Sequence, residues 1–293
     1  MTRSRALLIL HITVFIWGFT GILGNEISLP SNQLVWWRML IAAVAMLTWA
    51  LFSKKSLQVQ PRELLSYIGV GLLTAAHWIC FFGSIKASNV STALAVISTT
   101  SFFVAFVAPF IRKEKFLWFE VILGVLVVAG LAIIFKFESD KTLGIVLSLC
   151  AALLAAIFSS WNSVLVKTYP PTKMAFYEML AGFVGVSIYL MFNDKLDSSL
   201  FAISGYDYFL LAILGIVATA FAYIVSIEVM KILSPFTCAL TINLEPLYTI
   251  AMALIIYGES EYMSPQFYFG SLLILSTLFI DVYARKKLSS QKS

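Results

Sequence analysis

GVLVVAGLAIIF, residues 124–135, is apolar at every position. A barrel strand with one face to lipid and one to a lumen alternates apolar and polar residues over about ten positions. Nothing alternates here, so the stretch reads as helix. Comparable runs of about twenty residues, each long enough to cross a bilayer as a helix, recur along the whole chain. They fall at roughly 6–24, 32–52, 66–85, 91–110, 117–135, 143–166, 173–192, 208–228, 235–256 and 266–283. The polar breaks between them, such as SKKSLQVQPRE (53–63) and NDKLDSSLFAISGYD (193–207), are too short for a soluble domain. The chain is 60% hydrophobic and 12% charged, against about 25% charged in soluble domains, so it lacks the charge to cover a soluble globule. The expected fold is an all-α integral membrane protein of ten transmembrane helices.

Arg3 and Arg5 precede the first run as in a signal peptide. That run is longer than a signal peptide's apolar region, and no A-x-A site follows before Asn25, so an uncleaved helix is expected. Cys80, Cys150 and Cys238 all lie in spans without metal-ligand spacing and read as small apolar residues. Ten spans put both termini on one side. Counted by alternate loops, fifteen Lys and Arg fall on the terminal side and four (Lys86, Lys136, Lys141, Lys195) on the other, with Arg38 inside a span. The positive-inside rule then expects cytoplasmic termini in a plasma, or inner, membrane. The net charge of +5 reads as topology and contact with anionic lipid heads, not with nucleic acid. The bilayer and a small-molecule substrate are the expected partners, and the oligomeric state is left open.

The two halves can be laid over each other. A shift of 145 puts Lys86 on Lys231, Thr92 on Thr237, Trp78 on Tyr223, Phe103 on Tyr248 and Glu114 on Glu259. Upstream, with slightly different shifts, WWRML (36–40) meets FYEML (176–180) and Trp17 meets Trp161. The expected units are residues 1–140 and 141–293. Five spans in each makes the second enter from the opposite face, an inverted repeat suited to a central site that opens to either side in turn.

WGFTG (17–21), NLEPLY (243–248) and YGE (257–259) are similar to the EamA type of the drug/metabolite transporter superfamily. The resemblance covers the whole chain: ten spans, two five-helix repeats, cytoplasmic termini. The first half departs from it, with TSFF (100–103) in place of EPLY and RKE (112–114) in place of a glycine-glutamate. It implies an exporter or exchanger of a small organic metabolite, amino acids included, and leaves the cargo unspecified.

Several intramembrane polar residues stand out as candidate substrate-binding or coupling groups. Glu245 lies roughly 15 Å into its span, near the midplane. Thr237, Thr241, Glu245, Tyr248 and Met252 follow helical steps and should share one face, with Asn243 off that stripe at similar depth. Pro246 should free the carbonyl of Ile242 and bend the helix. Ionisable residues in spans mark pathways and relays; the alternative is an acid that Asn, Thr or Tyr neighbours hold to pin helices together. Arg38, about 10 Å into its span, either snorkels outward or offers a fixed cation to a carboxylate beside Trp36 and Trp37. Glu178 is its counterpart in the second half. His77 beside Trp78, and Asn162 beside Trp161, are candidates for a polar lining or for helix–helix hydrogen bonds. Trp17, Trp161, Tyr177 and Tyr223 are candidates for an aromatic cage, and Gly18 and Gly21 for close helix approach.

The reading these residues support is a secondary transporter that works by alternating access around a midplane cavity. No cofactor is expected. Protonating a midplane carboxylate relieves its desolvation, which makes proton coupling available. A channel or sensor is the alternative use of the same polar face. An intramembrane enzyme is disfavoured, since the chain has no GxSxG, HExxH or paired-aspartate motif, and an ATP-driven pump for want of a P-loop.

Overall fold

The structure is a computed structural model and describes residues 1–116, 118–137, 139–242 and 244–290. Its long elements are helices: α1 (Arg3–Glu26), α2 (Ser31–Phe52), α3 (Pro61–Ala87), α4 (Val90–Ile97), α5 (Thr100–Arg112), α6 (Trp118–Phe137), α7 (Thr142–Leu165), α8 (Pro171–Phe192), α9 (Gly205–Gly215), α10 (Ala222–Val229), α11 (Pro235–Ile242), α12 (Glu245–Tyr257) and α13 (Pro265–Ser290). Three pairs continue one another across a break: α4 with α5, α11 with α12, and α9 with α10 through a π-helical turn, Ile216–Phe221. Joined so, the described residues form ten segments. Seven of these, with 90–112 and 205–229 each taken as one span, are long and apolar enough to cross a membrane.

Helix lengths repeat along the chain. α1 and α7 both have 24 residues, α2 and α8 both have 22, α4 and α11 both have 8, and α5 and α12 both have 13. A shift of 145 carries the bounds of α4 and α5 onto those of α11 and α12. The two breaks have different chemistry. In the second half Pro246 falls in the first turn of α12, where its missing N–H removes no hydrogen bond. At the expected bend α11 ends at Ile242 and α12 begins at Glu245. In the first half no proline stands at the break. Ser98, Thr99, Thr100 and Ser101 each donate a side-chain hydroxyl to the carbonyl three residues back, competing with the helix's own amides.

Glycines set the closest crossings. A Cβ on Gly21 would sit 2.9 Å from Thr249, and one on Gly18 3.2 Å from Tyr248, so α1 lies tightly along α12. Gly130 and Gly270 do the same for the peripheral pair α6 and α13. α3 packs between α7 and α8.

The two ends of the bundle differ. On the side away from the termini, buried acids tie the helix ends together. Asp207 accepts from Ser28 N (2.9 Å), Ser28 Oγ (2.7 Å) and Ser204 Oγ (2.9 Å). Glu261 accepts the amides of Val90 (3.1 Å) and Ser91 (2.8 Å) at the start of α4, where a carboxylate meets the positive helix end. Lys86 donates to the carbonyls of Ile27 (2.6 Å) and Asn25 (3.2 Å) at the end of α1. On the terminal side Lys173 pairs with Glu63 at 2.7 Å, and Tyr177 donates to Leu57 O at 2.8 Å, joining α8 to the segment between α2 and α3.

Candidate functional site: a central cavity

A cavity lies between α1–α5, α7 and α10–α12. It gives water-sized molecules about 130 Å³ of room, roughly ten times what one water needs. Its walls are largely aromatic: Trp17, Trp78, Phe81, Phe158 and Tyr223. Arg38, His77, Glu245, Thr20, Thr100, Ser159 and Ser226 add polar groups. The cavity reaches Met230 and Pro235, which flank the α10–α11 turn on the terminal side. Toward the other side its last lining residues, Thr20, Arg38, Phe81 and Ile97, stop six or seven residues short of their helix ends. That leaves about 10 Å of packed helix, closed over by the Asp207, Glu261 and Lys86 contacts.

Arg38 is the cavity's buried cation. Its Nε donates to Thr219 Oγ1 at 2.7 Å, and Thr219 donates on to Leu214 O at 2.6 Å, across the π-helical turn. The indole of Trp17 donates to Ala218 O on the same turn at 2.9 Å. The guanidinium carbon lies 3.7 Å from the centroid of the Trp78 ring, a cation–π contact that holds the group against the wall. Among the described residues Nε alone is committed to a protein hydrogen bond, which leaves the planar fork of terminal nitrogens for a carboxylate. Snorkelling is therefore not the arrangement adopted; the side chain points inward.

Glu245 opens α12, half-buried beside Thr20. Its charge and that of Arg38 attract each other, yet the two form no direct ion pair among the described residues. The carboxylate is carried by the α1–α12 crossing. One turn on, Thr249 donates to Gly18 O at 2.8 Å and to Glu245 O at 2.9 Å. His77 approaches Ala151 O through Nδ1 at 2.8 Å. A carbonyl only accepts, so Nδ1 carries the hydrogen and Nε2 is the acceptor of the neutral ring.

The expected stripe on the ninth span does not line the cavity as a whole. Although α11 ends at Ile242 and α12 begins at Glu245, the lining keeps helical steps of four and three residues across the break; the stripe fails because Thr237, Thr241 and Tyr248 lie to one side of that face. Cys238, Ile242, Glu245 and Pro246 face the cavity instead. Thr241 is bonded back to Thr237 O. Tyr248 is 38% exposed, edge-on to Phe15 at 5.6 Å on the outer side of the bundle. Asn243 lies outside the described residues. Of the expected cage, Trp17 and Tyr223 line the cavity. Trp161 packs over Gly69, and Tyr177 is held at Leu57. Glu178 and Asn162 sit behind Tyr223 and do not line the cavity: Tyr223 Oη donates to Glu178 Oε2 at 2.8 Å, and Asn162 Nδ2 to the same oxygen at 3.1 Å.

Thr20, Phe81, Phe158, Ser226 and Thr219 were not evident as site residues from the sequence. The repeat held a signal for some of them. A shift of 139 relates Thr20 to Ser159, and a shift of 145 relates Trp78 to Tyr223, Phe81 to Ser226, Ile97 to Ile242 and Thr100 to Glu245. Both members of each pair line the cavity.

The profile of the EamA-like transporter family matches residues 4–136 and 142–282. The chain belongs to that family. It is a multi-pass membrane protein with a transporter's role. A relative, the uncharacterized transporter YxxF of Bacillus subtilis (strain 168), is 22% identical over 263 residues, which is 87% of this chain and 83% of its own length. A protein of known crystal structure matches with a TM-score of 0.69 over 94% of this chain and 96% of its own, at 15% identity. At that identity the likeness speaks for the fold alone.

Proposed function

We propose that this family member is a secondary carrier, an exporter or exchanger, of small zwitterionic metabolites of amino-acid type. The observation that carries the reading is the pairing of Arg38 and Glu245 in one aromatic-walled cavity without a direct ion pair. An α-carboxylate fits the open fork of Arg38, an ammonium fits Glu245, and an apolar side chain fits Trp17, Phe81 and Phe158. Each charged end then exchanges water for a fixed partner of opposite sign.

The mechanism we propose is alternating access by two inverted five-helix units, residues 1–140 and 141–293. The equal lengths of corresponding helices and the paired lining positions support it. The asymmetric ends support a state whose cavity faces the terminal side, the cytoplasmic side by the positive-inside rule. Opening the other way requires the Asp207, Glu261 and Lys86 contacts to part. It also requires the helices around Met230 and Pro235 to close.

Counterflow in proteoliposomes tests the reading. Protein loaded with unlabelled amino acids should draw in labelled leucine or phenylalanine saturably, and Arg38→Ala should lose that uptake. Flux that neither saturates nor shows counterflow would mean a channel. Orientation is tested by a Ser226→Cys substitution in a background without Cys80, Cys150 and Cys238. A membrane-impermeant thiol reagent should label it from the cytoplasmic side; labelling from the outside alone would reverse the assignment.

A further inference from the structure

Glu178 has no solvent exposure, and among the described residues no cation is paired with it. Its Oε2 accepts from Tyr223 and Asn162, but Oε1 is buried without a hydrogen-bond partner, and so is Oδ1 of Asn162. Thr74 does not supply a donor, because its hydroxyl is given to Val70 O at 2.9 Å. The charged and titratable groups on the packed elements are Arg38 on α2, Arg62, Glu63, Tyr67, His77, Cys80 and Lys86 on α3, and Tyr223 and Glu228 on α10. On α7 there is Cys150, and Lys173, Tyr177 and Tyr189 share α8 with Glu178. Among the described residues, Tyr223 alone of the titratable groups bonds to the carboxyl, while Lys173 is bound to Glu63. A fully buried carboxylate with one bare oxygen and no counter-charge is among the costliest arrangements in a protein. A proton on Oε1 removes the charge and turns the orphan acceptor into a donor.

The pocket is closed on two sides. Gly71 brings the α3 backbone so near that a Cβ there would lie 2.2 Å from the Glu178 carbonyl oxygen, and a Cβ on Gly182 would lie 2.9 Å from Gly71 O. On the cavity side stands Tyr223, a lining residue whose hydroxyl holds the carboxyl. We propose that Glu178 is a proton-binding site, separate from the substrate cavity, that exchanges its proton when Tyr223 moves aside. That this proton drives transport rests on the carrier reading above; the occupancy of the site does not.

Infrared spectroscopy of the purified full-length protein reads that occupancy without any substrate. In sodium-free buffer at neutral pH, the difference between wild type and Glu178→Gln should contain a protonated-carboxyl C=O band. In Tyr223→Phe the band should persist, move to higher frequency, and exchange into deuterium oxide faster than in wild type. A difference spectrum with carboxylate bands only would overturn the proposal, as would a carboxyl band that disappears when sodium is added, the mark of a cation site. Unchanged deuterium exchange in Tyr223→Phe would overturn the gating role. Should Glu178→Gln fail to fold, Asn162→Leu serves as the second variant: losing the amide donor must shift the same band, and an unmoved band counts against Glu178. A protein that shows the band but moves no amino acid would sink the carrier reading and leave this site standing.

Discussion

Five pairs of corresponding positions from the two halves face the cavity together, whereas a sixth pair, Arg38 and Glu178, parts company. Arg38 lies against Trp78 in the cavity; Glu178 is bonded to Tyr223 behind its wall. The partners correspond as well, since Trp78 and Tyr223 are related by the shift of 145, and their rings meet at 6.1 Å. One frame thus holds a basic and an acidic group, both buried, among different polar partners. Arg38 is stabilised by a ring face, a hydroxyl and an attracting acid. Glu178 has two neutral donors and a bare oxygen. The difference teaches that burial alone does not assign a role: what a charged group does in the membrane follows from which of its polar atoms remain unspent.

The strongest way to break the contrast is to remove the cavity's cation. Arg38→Ala should abolish amino-acid counterflow and weaken binding by about 30-fold or more, from about 2–5 kcal/mol for truncating one partner of a buried charged contact. Thermal-shift titration with leucine measures it. Arg38→Lys should restore only part of the affinity, because a point charge lacks the bidentate fork. Wild-type affinity in Arg38→Ala would move the carboxylate site elsewhere.

A smaller effect of another kind is expected at the sealed pocket. Gly71→Ala puts a methyl 2.2 Å from backbone that has no side chain to swing away. The substitution should destabilise the protein by about 1–3 kcal/mol, seen as a lower melting temperature in detergent with a broadly similar substrate affinity. A normal melting temperature would mean that the α3–α8 crossing is looser than described.

Much of this was legible in the sequence, for a physical reason. In a bilayer the length and polarity of a run decide whether it is helix, so the ten segments could be bounded closely. The inward-facing groups Trp17, Arg38, His77, Trp78, Tyr223 and Glu245 were recognisable because polar and aromatic residues are costly to place at that depth without purpose. The face of α12 was not legible. The expected stripe was centred on Thr237, Thr241 and Tyr248, whereas the cavity takes the neighbouring positions Cys238, Ile242, Glu245 and Pro246, and Pro246 marks the break between α11 and α12. The hydroxyl run 98–101 conceals a similar break with no proline to announce it. Nor could the sequence say that Tyr223 would stand between Glu178 and the cavity.

Between these lies the support of Arg38. Thr219→Val removes the hydroxyl that orients Nε and keeps the residue's shape. The expected cost is about 1.5–3 kcal/mol, the range for a hydrogen bond to a charged group. It should appear as a 10- to 100-fold weaker apparent affinity, by about 1.4 kcal/mol per tenfold, with the maximal counterflow rate little changed. An equal loss of rate at saturating leucine would point to the π-helical turn as a moving part of the cycle.

The smallest effect tests the phase of α12 directly. Tyr248 lies three residues beyond Glu245 on the same helix α12, yet it packs on Phe15 at the outer side of the bundle. Tyr248→Leu keeps an apolar group there and should leave leucine affinity within about twofold of wild type, the scale of an exposed substitution of about 0.5 kcal/mol or less. A Thr241→Val substitution should be similarly quiet, since that hydroxyl serves only the carbonyl of Thr237 among the described residues. If either change disrupted counterflow as strongly as Arg38→Ala, Thr241 and Tyr248 would belong to the face that meets the substrate, and the lining of Cys238, Ile242, Glu245 and Pro246 would not be the working one.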